Sequence, residues 1–131
     1  AVADINILMN SMTGKSFTKE QLINYYTAKK YMPLHLKSED DRTIKKKINP
    51  QGFTIPDSDT ENLIQCLLHM RRIITVHEGL RWNDIKRYGI EISHNRDGQA
   101  DDVLLVDDLR RAIQIPQEVI AAGLEANPRN N

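Results

Sequence analysis

Three charged side chains stand where a helix ought to be apolar. Projected at about 100° per residue, Leu63, Leu67, Met70, Ile74, Ile85 and Tyr88 form one stripe, with Ile64 and Trp82 at its edge. Arg71, Glu78 and Arg81 fall inside that stripe. Ions on a buried face must be paired and hydrogen-bonded, because taking one out of water costs several kcal/mol. Glu78 lies three residues before Arg81 and two turns after Arg71, which places it to serve both guanidinium groups. The chemistry this predicts is a buried ion-pair network that locks helices together.

Other reactive residue types give weaker patterns. His69 and His77 are eight residues apart, beyond the i, i+4 spacing that puts two imidazoles on one metal ion, so no metal site is expected. The run from Ser93 through Gly98 to Asp101 has some oxygen ligands at calcium-loop spacing, but Leu104 stands where a bidentate Glu is required, and a polar turn is the simpler reading. Asp57, Asp59 and Glu61, and likewise Asp101, Asp102, Asp107 and Asp108, lie in polar segments. A general acid needs a desolvated carboxyl, so these read as helix caps and loop solvation and no catalytic residue is assigned. There is no nucleophile-elbow motif, no phosphate-binding glycine loop and no cofactor signature. Lys45-Lys46-Lys47 reads as a solvated basic segment, Trp82 and the tyrosines as packing residues, and Cys66 as a helix thiol.

The elements that must position these residues are mainly helical. Apolar residues at 2, 5, 8, 9 and 12 predict a helix ended by Gly14, and Thr18 with Gln21 forms a capping box opening a second helix to about Tyr31. Residues 33–58, with three prolines, read as an irregular connector holding at most one helical turn. Asp57 to Thr60 offer N-caps for a major helix running to about Arg87, bent near Gly79 and closed by Gly89. Ile73, Val76 and Leu80 make its other face apolar too, which predicts a helix sandwiched between layers of a larger assembly. Ile90–His94 and Val103–Val106 suggest a short β-hairpin near 90–106. Pro116 starts a short helix that ends at Gly123, and the tail from Ala126 is expected to fray.

The bulk composition excludes several classes. The chain has 131 residues with 18 acids against 18 Lys and Arg, so no global field points to nucleic acid or an anionic membrane. Leu, Ile, Val and Phe number 34, enough for a core and too many for disorder. A single cysteine forms no internal disulfide. No apolar run approaches the roughly 20 residues that span a bilayer.

The central segment also carries a recognisable spacing. Arg71-Arg72, then Glu78-Gly79, then Arg81-Trp82, Asp84 and Arg87-Tyr88-Gly89 resembles the signature near the C-terminus of the SusD/RagB family of nutrient-binding lipoproteins. Asp107-Asp108-Leu109-Arg110-Arg111 through Ile115-Pro116-Gln117-Glu118 resembles a second block of that family, Asn127-Pro128 its terminal Asn-Pro, and Ala1 to Leu8 one of its helices. Met70 and Ile74 stand where the family usually has carboxylates, and Gln114 where it has a proline, which leaves Glu78 as the main local counter-ion. The resemblance implies the C-terminal portion of a SusD-like helical fold with tetratricopeptide-type helix pairs. It implies a non-catalytic protein without cofactors on the outer face of the outer membrane, held by a lipid anchor absent from this portion. Its partners would be an oligosaccharide or peptide ligand and a TonB-dependent, SusC-like barrel. Arg71, Arg72, Glu78, Arg81, Trp82, Asp84 and Arg87 would then be architectural, with the ligand contacts unassigned. Such a portion should also expose a large apolar patch. The competing expectation is a soluble helical module that docks a protein partner.

Overall fold

A computed structural model describes residues 2–94 and 100–129. The chain is mainly α, with five helices and two small two-stranded sheets among the described residues. Helix α1 spans Val2–Thr13 and α2 spans Lys19–Thr27. The expected capping box is present: Thr18 Oγ1 accepts from the Gln21 backbone N–H at 3.1 Å, and the Gln21 side chain accepts from the Thr18 N–H at 2.8 Å. Asn6 clips the linker onto α1, donating to the Phe17 carbonyl at 2.8 Å and accepting from the Phe17 N–H at 2.7 Å.

Helix α2 stops at Thr27, a turn earlier than its periodicity predicts. Tyr31–Met32 is a strand instead, β1, and pairs in parallel with β2, Lys45–Lys46. The stretch read as an irregular connector therefore contributes a strand, along with the one helical turn at Glu39–Asp41. Two paired residues are too few to show a strand period, so their partnership is invisible to local sequence.

The major helix is two helices. Helix α3 runs Ser58–Ile74, capped by Asp57, whose side chain accepts from the Thr60 N–H at 2.7 Å. Helix α4 runs Arg81–Arg87. Ile73, Ile74, Thr75 and Val76 are four consecutive β-branched residues, which lose side-chain freedom in a helix. Thr75 Oγ1 turns back onto the Arg71 carbonyl at 2.8 Å, a contact that bends helices. Gly79, at φ 69°, completes the break.

Two small cores flank α3. Ile5, Leu22, Tyr26, Cys66 and Met70 form one, against α1 and α2; Leu68, Ile85 and Ile90 form the other, with Ile48, Ile64, Trp82, Tyr88 and Ile92 against it. The second face of α3 is packed within the chain, but by Ile64 and Leu68 and not by the residues expected to form it. Ile73, Val76 and Leu80 are exposed.

Strands β3 (Ile92–His94) and β4 (Asp102–Leu104) pair antiparallel, as the hairpin reading requires, with Ile92 opposite Leu104. The calcium-type reading of the intervening turn depends on 95–99, outside the described residues. Helix α5 covers Gln117–Ala121. The tail does not fray at Asn127, whose N–H is accepted by the Gln114 side chain at 2.9 Å and whose amide donates to the Ile113 carbonyl at 2.8 Å.

Gly89 follows α4 at φ 56°, and a β-carbon there would collide with the carbonyl oxygen of Asn49, whose own N–H bonds the Tyr88 carbonyl at 2.8 Å. Gly79 has the same backbone conformation with open space around it. Gly79→Ala should therefore cost about 1 kcal/mol of left-handed strain, while Gly89→Ala should cost roughly 3 kcal/mol or more through strain plus collision. Urea unfolding of the two variants measures the difference; equal losses would mean that Asn49 yields freely.

Candidate functional site

The corner between α3 and α4 gathers most of the charged signature. Arg71 lies in the last turn of α3, where the helix dipole favours a cation. Its Nε donates to both carboxylate oxygens of Asp84, at 3.2 and 3.3 Å. Asp84 is 5% exposed, whereas Arg71 keeps part of its side chain in water. This bond ties the end of one helix to the side of the next.

Glu78 was expected to be the counter-ion and is not. It is exposed and forms no ion pair among the described residues. The helical projection loses phase at Thr75, so Glu78 turns outward on the bend and Asp84 takes the role. Arg81 sits beside Asp84, partly buried, with its Nη1 enclosed and unbonded. Burial pushes its pKa down, with the neighbouring Arg72 adding to the effect and Asp84 opposing it. Trp82 packs against the Leu68–Ile85–Ile90 core, which supports a packing role. Arg87 is exposed and lies 5.7 Å from the centre of the Phe53 ring. The fold thus assembles Arg71, Arg72, Arg81, Trp82 and Asp84, and leaves Glu78 and Arg87 outside.

Two buried cations escaped sequence reasoning. Lys45, expected to be solvated, is 5% exposed: its Nζ donates to the Tyr26 carbonyl at 3.1 Å and to Asn62 Oδ1 at 2.8 Å, and lies 4.5 Å above the Tyr31 ring. Of the triplet, Lys47 alone is exposed, and Lys46 is half-buried. Arg111 is 8% exposed and reaches the carbonyls of Leu105, Ile85 at 3.2 Å and Ile90 at 2.6 Å, joining α4 to the segment after β4. Its neighbour Arg110 holds the Asp108 carboxyl below the usual carboxylate range through paired hydrogen bonds. No periodic signal marks Lys45 or Arg111, because their partners are oxygens at no helical or strand spacing, among them the Tyr26 carbonyl and the Asn62 side chain for Lys45.

An apolar groove of about 440 Å³ opens between α1, α2 and α3, walled by Met9, Met12, Tyr25, Cys66, Met70 and Ile73. Among the described residues no three His, Cys, Asp or Glu side chains gather where they could hold a metal. At the edge of the groove, Tyr26 Oη and His69 Nδ1 share a hydrogen bond at 2.9 Å. Burial pushes the Tyr26 pKa up and the His69 pKa down, the latter with help from Arg72.

Removing the carboxylate at position 84 strands Arg71 and Arg81 together. Asp84→Ala should cost about 2–3 kcal/mol, below the full penalty for a buried pair because Arg71 is partly hydrated. Glu78→Ala should cost under about 0.5 kcal/mol, as surface substitutions do. Denaturant midpoints of the two variants test the assignment, and the reverse order would reinstate Glu78. His69, with its folded pKa below the unfolded one, contributes stability that is whole above about pH 6.5 and is lost as the pH falls. Between about pH 7.5 and 5.5 the wild type should therefore lose more melting temperature than His69→Gln; parallel losses would place that ring in water. No family model, curated protein or solved structure matches the chain.

Proposed function

We propose that this chain is the C-terminal portion of a SusD/RagB-type lipoprotein that captures a nutrient, a glycan above all, at the bacterial outer membrane. The ligand is held without covalent chemistry over a TonB-dependent barrel and released inward. The observation that carries this reading is the Arg71–Asp84 bond within the Arg-Arg…Arg-Trp-x-Asp signature. It gives the signature a structural purpose: clamping two consecutive helices at a bend.

The surface supports the same reading. The accessible area is 9322 Å², against roughly 7,100 Å² expected for a compact monomer of this mass. Ile7, Ile73, Val76, Ile113 and Leu124 are each about half exposed or more. Cover of these side chains by further protein fits that reading. A helical docking module is the second reading, and the apolar groove beside α2 is the observation in its favour.

Detergent extraction of the intact protein from its native cells, followed by mass measurement and identification of whatever co-purifies, separates the two. The expected result is a lipidated chain several times heavier than 15.1 kDa, accompanied by an outer-membrane barrel. A lipid-free species of about this chain's own mass would transfer the protein to the docking-module class.

A further inference from the structure

The strand β2 sends its two lysines to opposite sides, as strand geometry requires. Lys45 goes into the α2–α3 core and finds three partners there. Lys46 goes the other way, into a small cleft with Gln65, His69, Arg72 and Arg81 on its walls. Its backbone is fixed in place from both directions. Pairing with β1 holds one edge, and Gln65, itself 3% exposed, grips the other: its amide donates to the Lys46 carbonyl at 2.5 Å and its oxygen accepts from the Lys46 N–H at 3.3 Å. The fold thus fixes the point from which the Lys46 side chain enters the cleft.

Three cations meet here without a matching acid. Neither Lys46 Nζ nor Arg72 has a hydrogen bond or ion pair among the described residues. Arg81 keeps an enclosed Nη1 with no acceptor. Asp84, beside Arg81, is already bonded to Arg71, and Glu91, which lines a neighbouring cavity with Lys46, forms no ion pair with any of the three among the described residues. Lys46 responds as a crowded cation does: burial, then Arg81, then Arg72 lower its pKa. Water would satisfy the Arg81 donor but would leave the positive charge uncompensated in a partly desolvated place, where charges interact more strongly than in bulk solvent. An anion answers both needs.

We propose that the cleft formed by Lys46, Arg72 and Arg81 is a binding site for an oxyanion, a phosphate, sulfate or carboxylate group. The free space is about 10 Å³, room for about one water-sized atom. One oxygen of the ligand enters and accepts from Arg81 Nη1, and the rest of the group stays at the mouth against Lys46 and Arg72. Guanidinium groups suit this task because their fixed N–H geometry matches oxyanion lone pairs. The oxyanion belongs to a free ligand, since the exposed Glu78, three residues before Arg81, forms no ion pair among the described residues.

Titration calorimetry on the intact protein with inorganic phosphate, at constant ionic strength, tests the site. Saturable binding is expected, weakened roughly tenfold or more by Lys46→Gln. The net-charge control Lys15→Gln, at an exposed position outside the cleft, should leave the affinity unchanged. Arg81→Gln should abolish binding; if that variant does not fold, the Lys46 and Lys15 pair still decides the matter. Tighter binding in Glu78→Gln than in the wild type would show that the side chain competes for the same oxyanion site, which supports it. Absence of saturation up to about 10 mM phosphate in both the wild type and Glu78→Gln, or equal weakening by Lys15→Gln and Lys46→Gln, overturns the proposal.

Discussion

Two buried amides on the central helix decide where the rest of the chain goes. Asn62 and Gln65 are each 3% exposed, and an amide in that position must be hydrogen-bonded or cost the fold a few kcal/mol. Asn62 satisfies itself with Lys45 Nζ and, at 2.9 Å, with Thr27 Oγ1, and so joins α3 to the end of α2 and to β2. Gln65 takes both backbone groups of Lys46. The connector between α2 and α3 is docked as a consequence, and α1 follows through the apolar contacts of Ile5 with Leu22 and Tyr26. Only eight apolar side chains are buried among the described residues, in two separate groups, so α3 has to serve both. The polar bonds along α3 supply the register that such thin cores leave undefined.

Local signals in the sequence translate faithfully and long-range ones do not. Thr18 and Gln21, Asp57 and Thr60, and Gly89 all act where the residue types say they should, because a cap is settled within four residues. The hairpin is legible for the same reason. The helical projection already errs within α3, where Leu67 and Ile74 of the expected stripe are exposed while Asn62 and Gln65 are buried, and it misplaces Glu78, since the break after Ile74 discards the phase for what lies beyond it. The run of β-branched residues before Gly79 is the warning, and it is readable when weighed against propensity as well as hydrophobicity. Lys45 and β2 are a different case. Their burial rests on a two-residue parallel pairing with Tyr31 and Met32 and on acceptors 17 and 19 residues away, and nothing local encodes it.

The neutral total charge conceals three uses of arginine and lysine. Arg111 collects backbone carbonyls, which suits a buried guanidinium with five donors and no carboxylate bonded to it. Arg71 and Arg110 take carboxylates, from Asp84 and Asp108. Arg72, Arg81 and Lys46 have neither, and they share one cleft. Balanced composition therefore says little about local fields: many acids are spent at helix caps and loops, where Asp57 and Asp41 accept from backbone N–H groups, and Asp84, beside the crowded cations, is taken by Arg71.

The bend that displaces Glu78 also exposes Ile74, Val76 and Leu80, so one local event produces both the electrostatic and the apolar character of this corner. Had the helix continued straight through Thr75, those residues would have stayed on helical faces and Glu78 would have stood on the stripe with Arg71 and Arg81. Asp84 can reach Arg71 only because α4 folds back, and that return path also brings Trp82 and Ile85 onto Leu68. Straightening would break a bond with a buried carboxylate and open the second core together, so the two penalties add and the bend is held from both sides. The exposed apolar residues at its tip are then a consequence of the turn that secures the interior, and any partner that covers them stabilises the bent form by mass action.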